Sequence, residues 1–312
     1  MKYIKIIFLA MVAAVLTTAC SDDDLSNTSI FNDATEEEQT EFDKWIYENY
    51  TKPYNIDLVY RYQDYETNNQ YNVVPADVDK VKALTIIMKH IWVEAYNEVA
   101  GEDFLKQYCF RKFQFIGSPE YNENGSIVLG TAEGGLKVTL FVVNWLNPDN
   151  IFIDSESPFP TTSDDPLDLN FWYFHTMHHE FCHILTQHKN YSTDFQTISA
   201  GKYHSSDWIN VEDKDAPLEG FVTGYASGEY NEDFAEIYST YVTKTDEAWQ
   251  KILDAGVDKT TNDTSGRDAI LAKLDIIKSY FQDSWGIDLD ELRSVVLRRS
   301  AEVKDLDLKN LK

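Results

Sequence analysis

The sequence predicts an α+β fold, in which strands and one long helix come first and helices dominate the second half. Two observations support this prediction. Short runs rich in β-branched and aromatic residues, as at 56–62, are typical of strands and occur before residue 145. After residue 170 the apolar residues recur instead at helical spacing. With 43% hydrophobic residues among 312, the chain can bury a sizeable core.

The elements can be placed in order from their spacing and from the turn residues between them. Pro53 ends the first predicted helix, Gly101 follows the long second one, and Gly286 separates the last two. The predicted helices are 42–50, 78–95, 171–185, 234–242, 267–281 and 289–300, and the predicted strands are 56–62, 113–116, 127–129 and 136–143, with a loop over 189–230.

This order predicts one domain over residues 41–312. We expect an N-terminal α/β lobe at about 41–190 and a helical C-terminal lobe at about 191–312, with a substrate cleft between them.

Charge restricts the partners of this protein. The formal net charge is −26, from 53 acidic and 27 basic residues. Nucleic acids and anionic membrane surfaces are bound through basic patches, so the composition argues against both as direct partners.

The first 19 residues are predicted to be a secretory signal peptide. Lys2 and Lys5 precede an apolar run at 6–16 that is too short to span a bilayer. Residues 16–20, Leu-Thr-Thr-Ala-Cys, are similar to a bacterial lipobox, in which the signal is cut before a cysteine that then carries lipid. The leucine stands one place further from Cys20 than usual, and a soluble secreted protein is the alternative.

Residues 20–40 are acidic and polar, as expected of a flexible tether. The three aspartates at 22–24 are similar to the acidic tag that follows the lipidated cysteine in surface-exposed lipoproteins of some Gram-negative bacteria. We therefore expect lipidation of Cys20 and a location on the outer membrane, exposed at the cell surface.

His179, Glu180 and His183 form an H-E-x-x-H motif inside a predicted helix. Residues four apart share one face of a helix, so both imidazoles can bind the same Zn²⁺ at about 2.0–2.1 Å. Glu180, beside the first ligand, can take a proton from a zinc-activated water. The motif predicts a zinc-dependent hydrolase with Glu180 as the general base.

A catalytic zinc site needs a third protein ligand. The metzincin spacing would place a histidine at Lys189, so that arrangement is absent. His188 comes one residue too early, and His175 lies one helical turn before the pair that holds the metal; both stay weaker alternatives.

Glu232 and Glu236 are better candidates, because they lie four residues apart at the start of a predicted helix. Glu232 can bind zinc while Glu236 accepts a hydrogen bond from a ligating histidine. A solvated acidic helix start, favourable for the helix dipole, is the alternative.

Residues 223–225, Thr-Gly-Tyr, and 232–236, Glu-Asp-Phe-Ala-Glu, resemble the corresponding stretch of lethal-factor-type zincins. The resemblance implies that Glu232 is the third ligand, that Glu236 supports a ligand, and that the hydroxyl of Tyr225 lies near the developing oxyanion. A core position for Tyr225 is the alternative.

A further resemblance is carried by residues 16–24, 54–62, 91–96, 117–118, 129–135 and 179–183. Through these stretches most of the chain resembles zinc metallohydrolase lipoproteins associated with substrate-import operons. This resemblance implies a zincin-like fold, Zn²⁺ as cofactor, a peptide or protein substrate, and outer-membrane importer components as partners. A non-catalytic lipoprotein that binds glycan or peptide, a hydrolase of a non-peptide bond and a structural zinc site are the alternatives.

The resemblance to zincins also implies how a peptide binds. In zincins an edge strand before the motif helix lines the cleft and pairs with an extended peptide, so by analogy we expect the strand at 136–143 to be that edge strand.

Cys109 and Cys182 are too few for a disulfide framework, although one disulfide between them is possible. Because Cys182 lies inside the motif, we expect it to be a small buried hydrophobe. Asp164 and Asp165 lack EF-hand spacing, so they are weak evidence for a calcium site, and the sequence leaves calcium binding open.

Overall fold

The computed structural model describes residues 39–63, 65, 67, 71–121, 127–128, 130–133, 136–159 and 166–311. Nearly all of the predicted signal peptide and tether, with Cys20, and also Asp164 and Asp165, lie outside these residues. Among the residues that are described, no helix is both long and apolar enough to cross a membrane.

The described strands are short. They are β1 Asp57–Val59, β2 Lys112–Phe115, β3 Glu120–Tyr121, β4 Ile127–Val128, β5 Gly130–Glu133 and β6 Lys137–Leu140. Four of them form a mixed sheet in the order β1-β2-β6-β5, with β1, β2 and β6 parallel to one another and β5 antiparallel to β6. Phe113 aligns with both Leu58 and Val138 across the parallel strands. β3 and β4 form a separate antiparallel pair.

Most of the described residues lie in helices. These are α1 Glu41–Ile46, α2 Lys52–Tyr54, α3 Val78–Met88, α4 Glu94–Ala100, α5 Glu102–Tyr108, α6 His175–His188, α7 Asp194–Ile198, α8 Tyr230–Thr243, α9 Asp246–Ala255, α10 Ser265–Trp285 and α11 Leu289–Glu302. Three π-helical turns interrupt or extend them: Tyr47–Thr51 between α1 and α2, Lys89–Val93 between α3 and α4, and Asn170–Phe174 before α6.

Side-chain caps and one glycine fix several helix ends. The carboxylate of Asp77 accepts hydrogen bonds from two backbone N–H groups at the start of α3, and Asp288 does the same for α11. Gly286, with φ +69°, adopts the left-handed conformation that ends α10.

The helix α6 packs directly against α8, and its apolar side lies in an aromatic core. Phe181 of α6 makes edge contacts with Trp92 and Tyr96 of the α3–α4 segment, with ring centroids 5.3 and 5.1 Å apart. Such edge-to-face pairs add to the gain from burying the rings. The core thus fixes one side of α6, so that its opposite side faces α8.

The α+β prediction is confirmed, and the six predicted helices are present, most of them a few residues longer than predicted. Four helices were missed: α2, α5, α7 and α9. The strand predicted at 136–143 is shorter, and it is not an edge strand: β6 lies between β2 and β5, so the edge belongs to β5.

Cys109 and Cys182 are buried free thiols, so the possible disulfide between them is not formed. Residues 41–312 group as one compact unit, and the division into two lobes near residue 190 stays a prediction.

Candidate metal centre

Three side chains from α6 and α8 bring their donor atoms to one point. The Nε2 atoms of His179 and His183 are 3.0 Å apart, as expected for residues one turn apart on one helix face. Oε2 of Glu232 lies 2.9 Å from Nε2 of His179 and 3.2 Å from Nε2 of His183. The structure therefore brings together the three residues that the sequence predicted as zinc ligands.

The spacing of these atoms suits zinc. Ligand atoms at 2.0–2.1 Å from a tetrahedral ion lie about 3.4 Å from one another. The three donors are slightly closer than that, so only small side-chain movements are needed to admit the ion. Two imidazoles and one carboxylate are also a ligand set that leaves a fourth position open for water.

Glu236 lies behind this group and fixes its orientation. Its Oε1 accepts from Nδ1 of His179 at 2.8 Å and from Nε2 of His175 at 2.9 Å, and its Oε2 accepts from the Thr223 hydroxyl at 2.6 Å. A carboxylate only accepts, so Glu236 holds a proton on Nδ1 of His179, and Nε2 is the ring nitrogen that faces the metal position.

The electrostatics of this cluster favour a positive charge. Burial lowers the pKa of His179, but hydrogen bonds to Glu232 and Glu236 outweigh it and raise that pKa to about 10. For Glu232 burial acts to raise the pKa, but the hydrogen bonds to His179 and His183 hold this pKa well below its usual value. Two ionised carboxylates around three imidazoles thus make a site where a cation is stabilised.

Glu180 lines a cleft of ≈ 600 Å³, which His183 and Glu232 also line. Burial raises the pKa of Glu180 above its usual value, although His179 and His183 act in the opposite direction. A carboxylate with a raised pKa is a stronger base than an ordinary surface glutamate.

Tyr225 lies beside the centre. Its ring is 5.8 Å from that of His179 and 4.9 Å from that of Trp208. Burial and the neighbouring charge of Glu232 raise the pKa of its hydroxyl. The side chain is 38% exposed, so the alternative of a core tyrosine is wrong.

The weaker alternatives for the third ligand lie elsewhere. His188 is exposed and its ring packs on Tyr108 at 5.5 Å, while Lys189 lies over the ring of Trp285. His175 lies behind the three donors: its Nε2 is 2.9 Å from Oε1 of Glu236, and with His179 and Glu236 it forms a second group of potential metal donors. Sequence reasoning missed this role for His175, although its position four residues before His179 was a signal for it.

A buried ion pair holds the start of α8, and sequence reasoning missed it. Oδ2 of Asp233 lies 2.5 Å from Nζ of Lys273 in α10, and both side chains are fully buried. The Tyr203 hydroxyl donates to Asp233 at 2.9 Å, and Lys273 donates to the carbonyl of Gly220 at 2.8 Å. Because Asp233 follows Glu232 directly, this pair fixes the turn of helix that carries the third donor.

A family model described as "Putative zinc-binding metallo-peptidase" matches residues 35–290. The chain belongs to this family. A crystal structure from Bacteroides caccae ATCC 43185, described as a "putative zinc-binding metallo-peptidase", is similar, with a TM-score of 0.71 and 39% sequence identity over 91% of this chain and 100% of that one. No protein with a curated description matches significantly.

Membership in this family confirms zinc as the cofactor predicted from the motif. It also supports the coarse functional class, a zinc metallohydrolase. The individual roles of His179, Glu180, His183, Tyr225, Glu232 and Glu236 stay predictions, which the geometry above supports.

Proposed function

We propose that this protein is a zinc peptidase that hydrolyses peptide bonds with Glu180 as general base. The observation that carries the proposal is the convergence of His179, His183 and Glu232 at the wall of a cleft that also contains Glu180. When bound there, zinc supplies Lewis acidity that activates water and polarises a carbonyl.

The remaining steps belong to the side chains of the chain itself. Glu180 takes the proton of the attacking water and returns it to the nitrogen of the leaving amine. Tyr225 donates a hydrogen bond to the oxyanion, from its position beside the centre. Glu236 keeps the proton of His179 on Nδ1 throughout.

We also propose that an extended peptide binds by adding a strand to the sheet. Among the described strands, β5 pairs with β6 on one side only, and β5 packs against α6. An exposed strand edge offers main-chain donors and acceptors to a peptide. The binding edge is therefore β5 rather than the strand expected from the sequence.

The proposed location is the outer surface of the cell, with a lipid anchor at Cys20 and a nearby outer-membrane importer as partner. The lipobox-like residues 16–20 and the aspartates after them support this part. Mass spectrometry of the mature N-terminus should find a lipid-modified Cys20, and any other start would contradict it.

The test of catalysis is digestion of a peptide library with a mass-spectrometric readout. The wild type should cleave peptides, whereas Glu180→Gln should keep its zinc and lose about 10²–10⁴-fold in rate, the usual contribution of a general base. Glu247→Gln, at an exposed position of α9, is the matched control and should cleave like the wild type.

The same experiment decides between catalysis and binding alone. Zinc-loaded protein that binds peptides but cleaves none would favour the non-catalytic lipoprotein. Wild-type protein that contains no zinc by elemental analysis would contradict the mechanism itself.

A further inference from the structure

Apart from the metal position itself, the cleft beside the metal centre is lined by acidic and neutral side chains. Three carboxylates line it, from Glu180, Glu229 and Glu232, and no lysine or arginine is among the described residues that do so. A cleft lined by one sign of charge attracts groups of the opposite sign and repels its own. The strongly acidic whole chain, at −26, strengthens that field.

Of these three carboxylates, Glu229 has no part in the metal centre. It stands immediately before α8, is exposed, and accepts only long hydrogen bonds, of 3.3 and 3.4 Å, from Nδ2 of Asn231. Within the part of the chain that the structure describes, no lysine or arginine forms an ion pair with it. The carboxylate is thus available to a cation from outside the chain.

The walls around Glu229 suit a cationic side chain better than an apolar one. Apolar specificity pockets are lined by aliphatic and aromatic side chains. Here Ile184 is the one aliphatic residue, and the exposed Tyr230 can contact a guanidinium through its ring. The other neutral lining residues offer amides and hydroxyls: Thr186, Gln187, Asn190, Thr193, Gln196 and Asn231, beside Tyr191 and Tyr230.

We propose that this cleft selects peptides with a lysine or arginine side chain next to the scissile bond, and that Glu229 pairs with that side chain. The inference rests on the proposed peptidase function and adds its substrate class. A carboxylate accepts two parallel hydrogen bonds from a guanidinium, so arginine should be preferred over lysine.

The test compares three peptides that differ only in the residue beside the cleavage site. This residue is arginine, glutamine or glutamate. All peptides are N-acetylated and C-amidated, so the side chain is their sole cation. For wild-type protein we expect kcat/KM to fall from arginine to glutamine to glutamate. In Glu229→Gln, kcat/KM for the arginine peptide should fall about tenfold or more, the usual cost of losing a charged hydrogen bond, while the glutamine peptide is cleaved as before.

Two further variants separate this effect from damage to the protein. Glu219→Gln removes a surface glutamate that pairs with His204 outside the cleft, and it should keep the wild-type preference. Glu229→Lys should retain zinc and favour the glutamate peptide over the arginine peptide.

The outcomes distinguish the inference from the function on which it rests. Two results overturn the inference and leave the peptidase function intact. One is cleavage of all three blocked peptides at equal rates, and the other is a preference for arginine that appears only when the N-terminal amine of the peptide is left free. If zinc-loaded wild-type protein cleaves no peptide of the library, the proposed function fails, and the inference fails with it.

Discussion

His178 and His179 are consecutive residues of one helix, yet their surroundings give them opposite chemistry. His178 is fully buried in the aromatic core, where Nδ1 lies 2.9 Å from the Tyr96 hydroxyl, and burial lowers its pKa to about 3. His179 faces α8, where Glu232 and Glu236 overcome the effect of burial and raise its pKa to about 10. The back of α6 is therefore built to be neutral and the front to hold positive charge.

The helix α8 shows the same division between neighbours. Glu232 faces the two histidines, while Asp233, the next residue, faces Lys273 in the interior. Charges that serve the metal thus lie within one residue of charges that serve the fold. The chemical role of a charged or titratable residue on these helices therefore depends on the side chain that faces it from the neighbouring helix.

The largest expected effect comes from His183→Ala, on the front of α6. It removes one of three donors, so zinc affinity should fall by more than the roughly 10–100-fold that loss of an outer partner costs. Cys182→Ala, the preceding residue and fully buried on the back, is the matched control and should keep its zinc. Chelator competition measures both, and equal zinc affinities would break the comparison between the two faces.

The next effect concerns Asp233 and Lys273. Lys273→Met leaves Asp233 buried without its cation and should lower the free energy of unfolding by about 3–5 kcal/mol. The double variant Asp233→Leu/Lys273→Met leaves no unpaired charge at this position, so most of the lost free energy of unfolding should be recovered. Denaturant unfolding of the zinc-free proteins measures it, and a single variant as stable as the wild type would show that the pair does not hold α8.

How far the sequence alone predicts this site follows from the range of each interaction. Helical spacing predicts that His179 and His183 share a face, and that Glu232 and Glu236 do so on α8, because the helix itself imposes it. No local rule pairs Asp233 with Lys273, since their contact depends on how α10 packs.

The fold shows the same limit. The periodicity of residues 78–95 predicts a helix there, and the structure has one from Val78 to Ala100 with a π turn inside it. Strand order is decided by long-range pairing, so the interior position of β6 could not be read from its residues. Disulfide formation also depends on which residues long-range packing brings together, so the sequence could not show that Cys109 and Cys182 stay unpaired.

A smaller effect is expected from Glu236→Gln. An amide accepts through one oxygen only, so it cannot replace both carboxylate oxygens towards His179 and Thr223. Zinc affinity should fall about 10–100-fold while the helices stay folded. Competition with a chelator measures the affinity and circular dichroism the fold, and an unchanged affinity would mean that the proton of His179 needs no partner.

The smallest effect should come from Tyr96→Phe, on the neutral side of α6. The variant keeps the ring and its contacts with Trp92 and Phe181, but removes the hydroxyl that lies against His178 and Tyr238. A buried polar group left without its partner costs about 1–2 kcal/mol, so thermal or denaturant unfolding should show a loss of that size. Zinc affinity should not change, because His178 faces away from the donors. If it falls together with stability, the two faces of α6 are coupled, and the aromatic core takes part in holding the metal.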